Sequence, residues 1–154
     1  MQTRIISAFP GTGKSHFFKT HPDRCLDSDS SQFSWHLNGD GHKVRNPHFP
    51  GNYIEHIREN IGKYEFIFVS SHKETRQALL EECLFFYLIH PAPYEKEVYL
   101  QRYKDRGNDE NFIKLVDKNW DAWISEIMRN RIPGCKRVMM MKDYLSEEIV
   151  DLGW

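Results

Sequence analysis

Residues 5–16 read Ile-Ile-Ser-Ala-Phe-Pro-Gly-Thr-Gly-Lys-Ser-His: an apolar run, a turn bracketed by glycines and a helix start in immediate succession. No other stretch constrains the chain as strongly. Gly11 and Gly13 allow the backbone to curl until successive N–H groups face one concavity, and the following helix turns its positive end to the same place. Lys14 adds a mobile cation there and Ser15 a hydroxyl. Pro10, Gly11, Thr12, Gly13, Lys14, Ser15 and His16 are therefore expected to cradle a polyphosphate, with Lys14 on its outer phosphates and Ser15 on Mg²⁺. The strict motif has glycine where this chain has Ala8, a position at the strand end rather than in the cradle. An ordinary tight turn has no use for the lysine and the serine together.

The chain has 154 residues, which fits one domain over residues 1–154 that buries about two thirds of its unfolded surface. Its formal net charge of −1 provides no global field to recruit nucleic acid, so any contact with DNA must use a local patch. Cys25, Cys83 and Cys135 are odd in number and form no C-x-x-C pair, which points to reduced thiols packed in a cytosolic protein. No charged-then-apolar leader and no uninterrupted apolar run of about 18 residues is found. The expectation is a cytoplasmic protein with no membrane partner.

Apolar runs predict strands over residues 3–8, 24–26, 65–70, 83–89 and 136–141. Between them, helical spacing predicts helices over 14–21, 52–62, 71–82 and 94–106. A longer stripe of Phe112, Val116, Trp120, Trp123 and Ile127 continues to residue 130, and a short helix covers 146–151. Ser71 and Glu74 have the spacing of a capping box. Five strands alternating with helices imply an α/β fold with a parallel sheet, right-handed crossovers and a site at the sheet's carboxyl edge. After the second strand, Asp27 and Asp29 alternate with Ser28, so both carboxylates are expected on one face beside the phosphate loop. Arg102 and Arg106 sit one turn apart near the end of their helix, which Gly107 stops.

Residues 33–51 show no sustained period and read as a long loop. Phe33, Trp35, Phe49, Lys43 and Arg45 within it suit stacking on a base while phosphates are neutralised. They equally suit aromatics covering the edge of the core. His36, His42 and His48 lie in the same loop without the cysteines or the helical H-x-x-x-H spacing of a zinc site.

The strand at 65–70 ends Ser-Ser-His, without the acidic pair of motor ATPases, and no guanine-specific N-K-x-D occurs. What remains near the loop is the Asp27/Asp29 pair and the arginine helix. A phosphoryl transferase needs these parts: a carboxylate to deprotonate an acceptor hydroxyl, and cations to stabilise the transferring phosphoryl. The order of phosphate loop, D-x-D, the segment Y-L-Q-R-Y-K-D-R-G and a last strand with a short helix resembles the nucleoside-monophosphate and polynucleotide kinase group over nearly the whole chain. That resemblance implies a five-stranded sheet ordered 2-3-1-4-5 and a helical lid at about residues 94–118 carrying Arg102 and Arg106. It also implies Asp29 as the acceptor-activating aspartate, and ATP with Mg²⁺ as cofactors. A-F-P-G-T-G-K-S, L-D-S-D-S-S-Q-F-S-W, R-N-P-H-F-P and F-V-S-S-H-K-E-T-R look more narrowly like the small phage-type P-loop kinases, including the 5-hydroxymethyluracil DNA kinases. Such an enzyme acts on a modified base in phage DNA, in the host cytoplasm. Ser70-Ser71 departs from the acidic residue usual after the third strand, which leaves Asp27 as the substitute partner of Ser15 on the metal.

Three readings stand at this point. In a DNA kinase, Phe33 and Trp35 stack an extruded base while Lys43 and Arg45 hold the backbone. In a kinase of free nucleosides or nucleotides, Arg45, Arg58 or Arg76 holds the acceptor phosphate. In a non-catalytic ATP-binding module, neither Asp29 nor the arginines are needed.

Overall fold

The computed structural model describes residues 1–129 and 133–154. In chain order its elements are β1 (Arg4–Ala8), α1 (Lys14–Thr20), β2 (Cys25–Asp27), α2 (Ser31–Ser34), β3 (Trp35–Leu37), β4 (Lys43–Arg45), α3 (Gly51–Asn60) and β5 (Phe66–Val69). There follow α4 (Lys73–Glu81), β6 (Phe86–His90), α5 (Lys96–Asp105), α6 (Glu110–Arg129), β7 (Cys135–Met139) and α7 (Leu145–Asp151). β2, β5, β1, β6 and β7 form, in that order, a five-stranded sheet in which every pairing is parallel.

Alternation along the buried strands explains the layers. Ile5, Ile67, Val69, Phe86 and Leu88 point to one face, where α3, α4, α5 and α6 cover them with Tyr53, Ile57, Leu79, Tyr99, Tyr103 and Trp120. Ile6, Ala8, Phe66, Phe68 and Ile89 point to the other, against Phe17 of α1 and Leu145 and Ile149 of α7. Covered on both sides, these strands read as continuous apolar runs rather than as alternating ones. Among the described residues no helix is long and apolar enough to cross a membrane.

Several expectations are corrected. Residues 33–51 are not a structureless loop: β3 and β4 pair as a separate antiparallel hairpin around Asn38–His42, anchored by the Asn46 N–H to the Ser34 carbonyl at 2.9 Å. Each strand has only three residues, and most of them are exposed, so no buried stripe announces them. The hairpin also changes the strand numbering. The sheet runs 2-5-1-6-7 rather than 2-3-1-4-5, because β3 and β4 intervene between β2 and β5 without joining it. The capping box does not form: α4 is capped at His72 with no side-chain bond, and Glu74 pairs with Arg45 instead.

β6 starts at Phe86 rather than 83, since the chain first turns at Cys83 (φ 54°) and closes α4 through Leu84 N–H to the Leu79 carbonyl at 2.9 Å. The expected helix end at Asn130 falls outside the described residues. Residues 94–118, the expected helical lid, are largely helical. They include α5 and the start of α6, and Tyr99, Leu100, Tyr103 and Val116 within them belong to the larger core.

The aromatic residues thus divide sharply. Trp120 is fully buried and its indole N–H donates to the Pro93 carbonyl at 2.9 Å, whereas Trp35 on the hairpin is 40 % exposed. Trp120→Ala is expected to lose about 3–5 kcal/mol of stability. Trp35→Ala should stay within about 1 kcal/mol of the parent, as surface changes do. Urea melts of the two variants check this, and an equal loss in both would place Trp35 in the core.

Candidate active site

The loop between β1 and α1 opens at the carboxyl edge of the sheet, beside its central strand. Gly11 (φ 85°) and Gly13 (φ 104°) both adopt left-handed backbone that other residues strain to reach. Close approach adds a second reason at Gly11. A Cβ there would stand 2.8 Å from Tyr103 Cε1 and 3.2 Å from Tyr99 Cδ1, so the two tyrosines of α5 pack directly on the loop backbone. The Tyr103 hydroxyl completes the contact by donating to the Pro10 carbonyl at 2.7 Å.

Inside the loop, Thr12 turns away from the mouth: it is buried, and its hydroxyl donates to the Phe9 carbonyl at 2.8 Å. The first helical bond of α1 runs from Phe17 N–H to the Gly13 carbonyl at 2.9 Å, which leaves the N–H groups of Lys14, Ser15 and His16 without a helical acceptor. These are the donors a phosphate can use.

Lys14 folds back so that its ammonium donates to the Ala8 carbonyl. Burial pushes its pKa from 10.5 down to about 8; the carboxylates of Asp27 and Asp29 oppose the shift, and the charge of Arg106 adds to it. The Ser15 hydroxyl donates to Asp27 Oδ2 at 3.2 Å, so the pair presents two oxygens at the mouth. Among the described residues no group of three or more His, Cys, Asp or Glu side chains is placed to hold a metal alone. Two protein oxygens fit Mg²⁺, which keeps several waters and takes phosphate oxygens for the rest of its shell. Asp29 is exposed, and its Oδ1 accepts the Ser31 N–H at 2.9 Å, closing the turn into α2.

A cleft of about 450 Å³ runs from the loop towards α5. Lys14, Ser15 and His16 line it together with Lys19, Arg102, Arg106 and Tyr144. Arg102 lies between two rings, 4.7 Å from the centroid of Tyr99 and 4.6 Å from that of Tyr144, and donates to the Gly11 carbonyl at 3.3 Å. Arg106 rests 5.5 Å over Tyr103 and donates to Asn108 Oδ1 at 3.0 Å. The structure thus brings Lys14, Ser15, Asp27, Arg102 and Arg106 to one site.

Other expected residues are not gathered there. Arg76 is buried and bonded to Glu126 Oε2 at 2.7 Å and to the Ser71 carbonyl at 3.0 Å, so its guanidinium is consumed within the fold. Phe33 packs on Tyr53 and His56, with centroids at 5.1 and 4.7 Å, and covers the core edge instead of offering a stacking surface. Trp35, Lys43 and Arg45 stand on the hairpin.

Tyr144, Lys19 and the tyrosine pair are the residues that sequence reasoning passed over. The parallel sheet offered a signal for Tyr144, because the segment after the last strand must exit at the same edge. It is held there by the Leu145 N–H to the Thr12 carbonyl at 2.8 Å. No protein-family model matches the chain, and no curated protein sequence matches it significantly.

The state of Lys14 sets a pH dependence. Unfolding restores its ordinary pKa of 10.5, so the burial penalty applies in full below about pH 8 and fades as pH rises towards 10.5, where this group makes the fold relatively more stable. An anion in the cradle favours the charged form. The part of tripolyphosphate affinity that depends on Lys14 should therefore be flat below about pH 8 and decline above it, with proton uptake by Lys14 on binding near pH 9. Calorimetry in buffers of different ionisation enthalpy measures the uptake, and the same uptake in Lys14→Met would contradict the assignment.

Proposed function

We propose that the chain is an ATP-dependent kinase acting on a hydroxyl of a nucleic-acid component, and that the acceptor is the 5-hydroxymethyl group of 5-hydroxymethyluracil within phage DNA. The observation that carries the reading is the convergence, around one glycine loop, of Lys14, Arg102 and Arg106 with the Ser15–Asp27 oxygen pair.

Bound ATP with Mg²⁺ would supply an activated terminal phosphoryl group with ADP as its leaving group; the chain supplies position and charge. The N–H groups of residues 14–16 and the Lys14 ammonium hold the phosphates. Ser15 and Asp27 would hold the cation, and Arg102 and Arg106 would face the charge that develops on the transferring group. Asp29 takes the proton from the acceptor hydroxyl through its free oxygen while its other oxygen stays on the Ser31 N–H, which fixes the carboxylate's direction. The acceptor hydroxyl would receive the terminal phosphoryl group, with ADP as the leaving group.

A kinase of free nucleotides needs a cation for the acceptor phosphate. The three arginines suited to that task are already paired: Arg45 with Glu74, Arg58 with Glu82 and Arg76 with Glu126. This weighs towards an acceptor that brings no terminal phosphate of its own. A module that only binds ATP leaves Asp29 and the two cleft arginines without a task.

The deciding assay measures transfer from radiolabelled ATP to DNA containing 5-hydroxymethyluracil, to thymine DNA, and to a panel of free nucleosides and nucleotides. Label is expected in the modified DNA alone, since thymine has no hydroxyl at that carbon. Transfer to a nucleoside monophosphate with none to modified DNA would overturn the acceptor. Lys14→Ala should keep its fold and lose transfer by at least about 10³-fold. Near-normal transfer by that folded variant would end the kinase reading.

Asp29→Asn should lower kcat at saturating Mg²⁺, while Asp27→Asn should chiefly raise the Mg²⁺ requirement. Small, equal effects would reduce Asp29 to its turn-closing bond. Alanine at Arg102 or Arg106 should slow turnover far more than it weakens ADP binding, and unchanged turnover in both would return them to the surface.

A further inference from the structure

The hairpin β3–β4 takes no part in the chemistry described above, yet the chain plants it at the same edge of the sheet. α2 begins two residues after Asp29 and runs directly into β3, and Arg45 of β4 pairs with Glu74 at the start of α4. The register Trp35↔Arg45, His36↔Val44, Leu37↔Lys43 places Trp35, Leu37, Lys43 and Arg45 on one face, because directly opposed residues share a face and alternate ones return to it.

On that face Trp35 is 40 % and Leu37 69 % exposed. The cations flank the indole, with Lys43 Nζ at 5.5 Å and the Arg45 guanidinium at 5.6 Å from its centroid. Among the described residues no ion pair engages Lys43. An apolar protein partner has no use for the cations, and an acidic peptide has none for the indole. A nucleic-acid strand answers both, with a π face for Trp35 and a phosphate for Lys43, while Arg45, paired with Glu74, braces the indole from its other side. The net charge of −1 excludes a broad electrostatic footprint on a duplex and favours a grip on a few unpaired nucleotides.

We propose that this hairpin face is a single-stranded DNA grip, with Trp35 stacking on a base that flanks the acceptor nucleotide, Leu37 wedged against the next base and Lys43 on the intervening phosphate. The assignment rests on the DNA reading of the acceptor, but binding is measurable without ATP and without transfer.

The probe is a fluorescein-labelled oligothymidylate of about ten nucleotides, followed by anisotropy across a salt series. Trp35→Ala should weaken binding about 5- to 150-fold, and Lys43→Ala should reduce the salt slope by about 0.7. Both should keep the parental melting temperature and tripolyphosphate affinity. Trp35→Phe should retain most of the binding, and His36→Ala on the opposite face all of it. Absence of oligothymidylate binding, unchanged binding in both Trp35→Ala and Lys43→Ala, or equal displacement by polyglutamate would overturn the grip. If modified DNA is still phosphorylated in any of those cases, the grip alone is lost and the kinase reading stands. Weakened binding in the hairpin variants alongside transfer only to free nucleotides would support the grip while removing the DNA acceptor.

Discussion

The packing of Tyr99 and Tyr103 against the bare backbone of Gly11 is the contact on which the site depends. A left-handed glycine alone makes a turn; a turn pressed by two aromatic rings is held in one shape. The same rings belong to the larger core, and Tyr99 packs on Trp120 with centroids at 5.5 Å. The loop is thus set by the core rather than by its own few hydrogen bonds. Arg102 of α5 and Arg106 at its C-cap each follow one of the two tyrosines by three residues, so the packing that shapes the loop also aims the cations at it. From the other side, Leu145 N–H on the Thr12 carbonyl ties the start of α7 to the loop and brings Tyr144 over Arg102.

The inner sheet and its helices were legible in the sequence because burial on both faces leaves a plain mark: Phe66–Val69 is apolar throughout, and α6 buries Val116, Trp120 and Ile127 of the expected stripe, with Ile124 inside in place of the exposed Trp123. The hairpin was not legible. Its strands bury almost nothing, so the pattern that reveals strands has nothing to act on, and the reversal between them is a five-residue loop, Asn38–His42, with Gly41 at φ 78°. Within the site, the motif residues Gly11, Gly13, Lys14 and Ser15 were readable because their spacing is itself the chemistry. Tyr103 was not, since its importance lies in the atom that Gly11 lacks.

Charge is where sequence reading fails most. Arg45, Arg58, Arg76, Arg102 and Arg106 look alike along the chain, and the fold divides them. The first three are paired with Glu74, Glu82 and Glu126, residues 24 to 50 positions away, while the last two lean on aromatic rings beside the loop, Arg102 with only a long 3.9 Å ion pair to the exposed Asp143. Beyond the rings, Arg102 donates to the Gly11 carbonyl and Arg106 to Asn108 Oδ1, neutral acceptors that hold a guanidinium less tightly than a bidentate carboxylate would. Lys14 is held in a similar reserve. Its ammonium sits on the Ala8 carbonyl, a neutral acceptor that an anion can displace, and burial keeps its pKa near 8 until such an anion arrives.

The central claim is that this loop is built for a polyphosphate. A crystal structure with Mg²⁺ and a non-hydrolysable ATP analogue tests it most directly. The account predicts phosphates on the N–H groups of residues 14–16, the Lys14 ammonium moved from the Ala8 carbonyl onto the outer phosphates, and Ser15 Oγ in the coordination sphere of the cation. An empty loop at saturating analogue, with Lys14 still on Ala8, would contradict it.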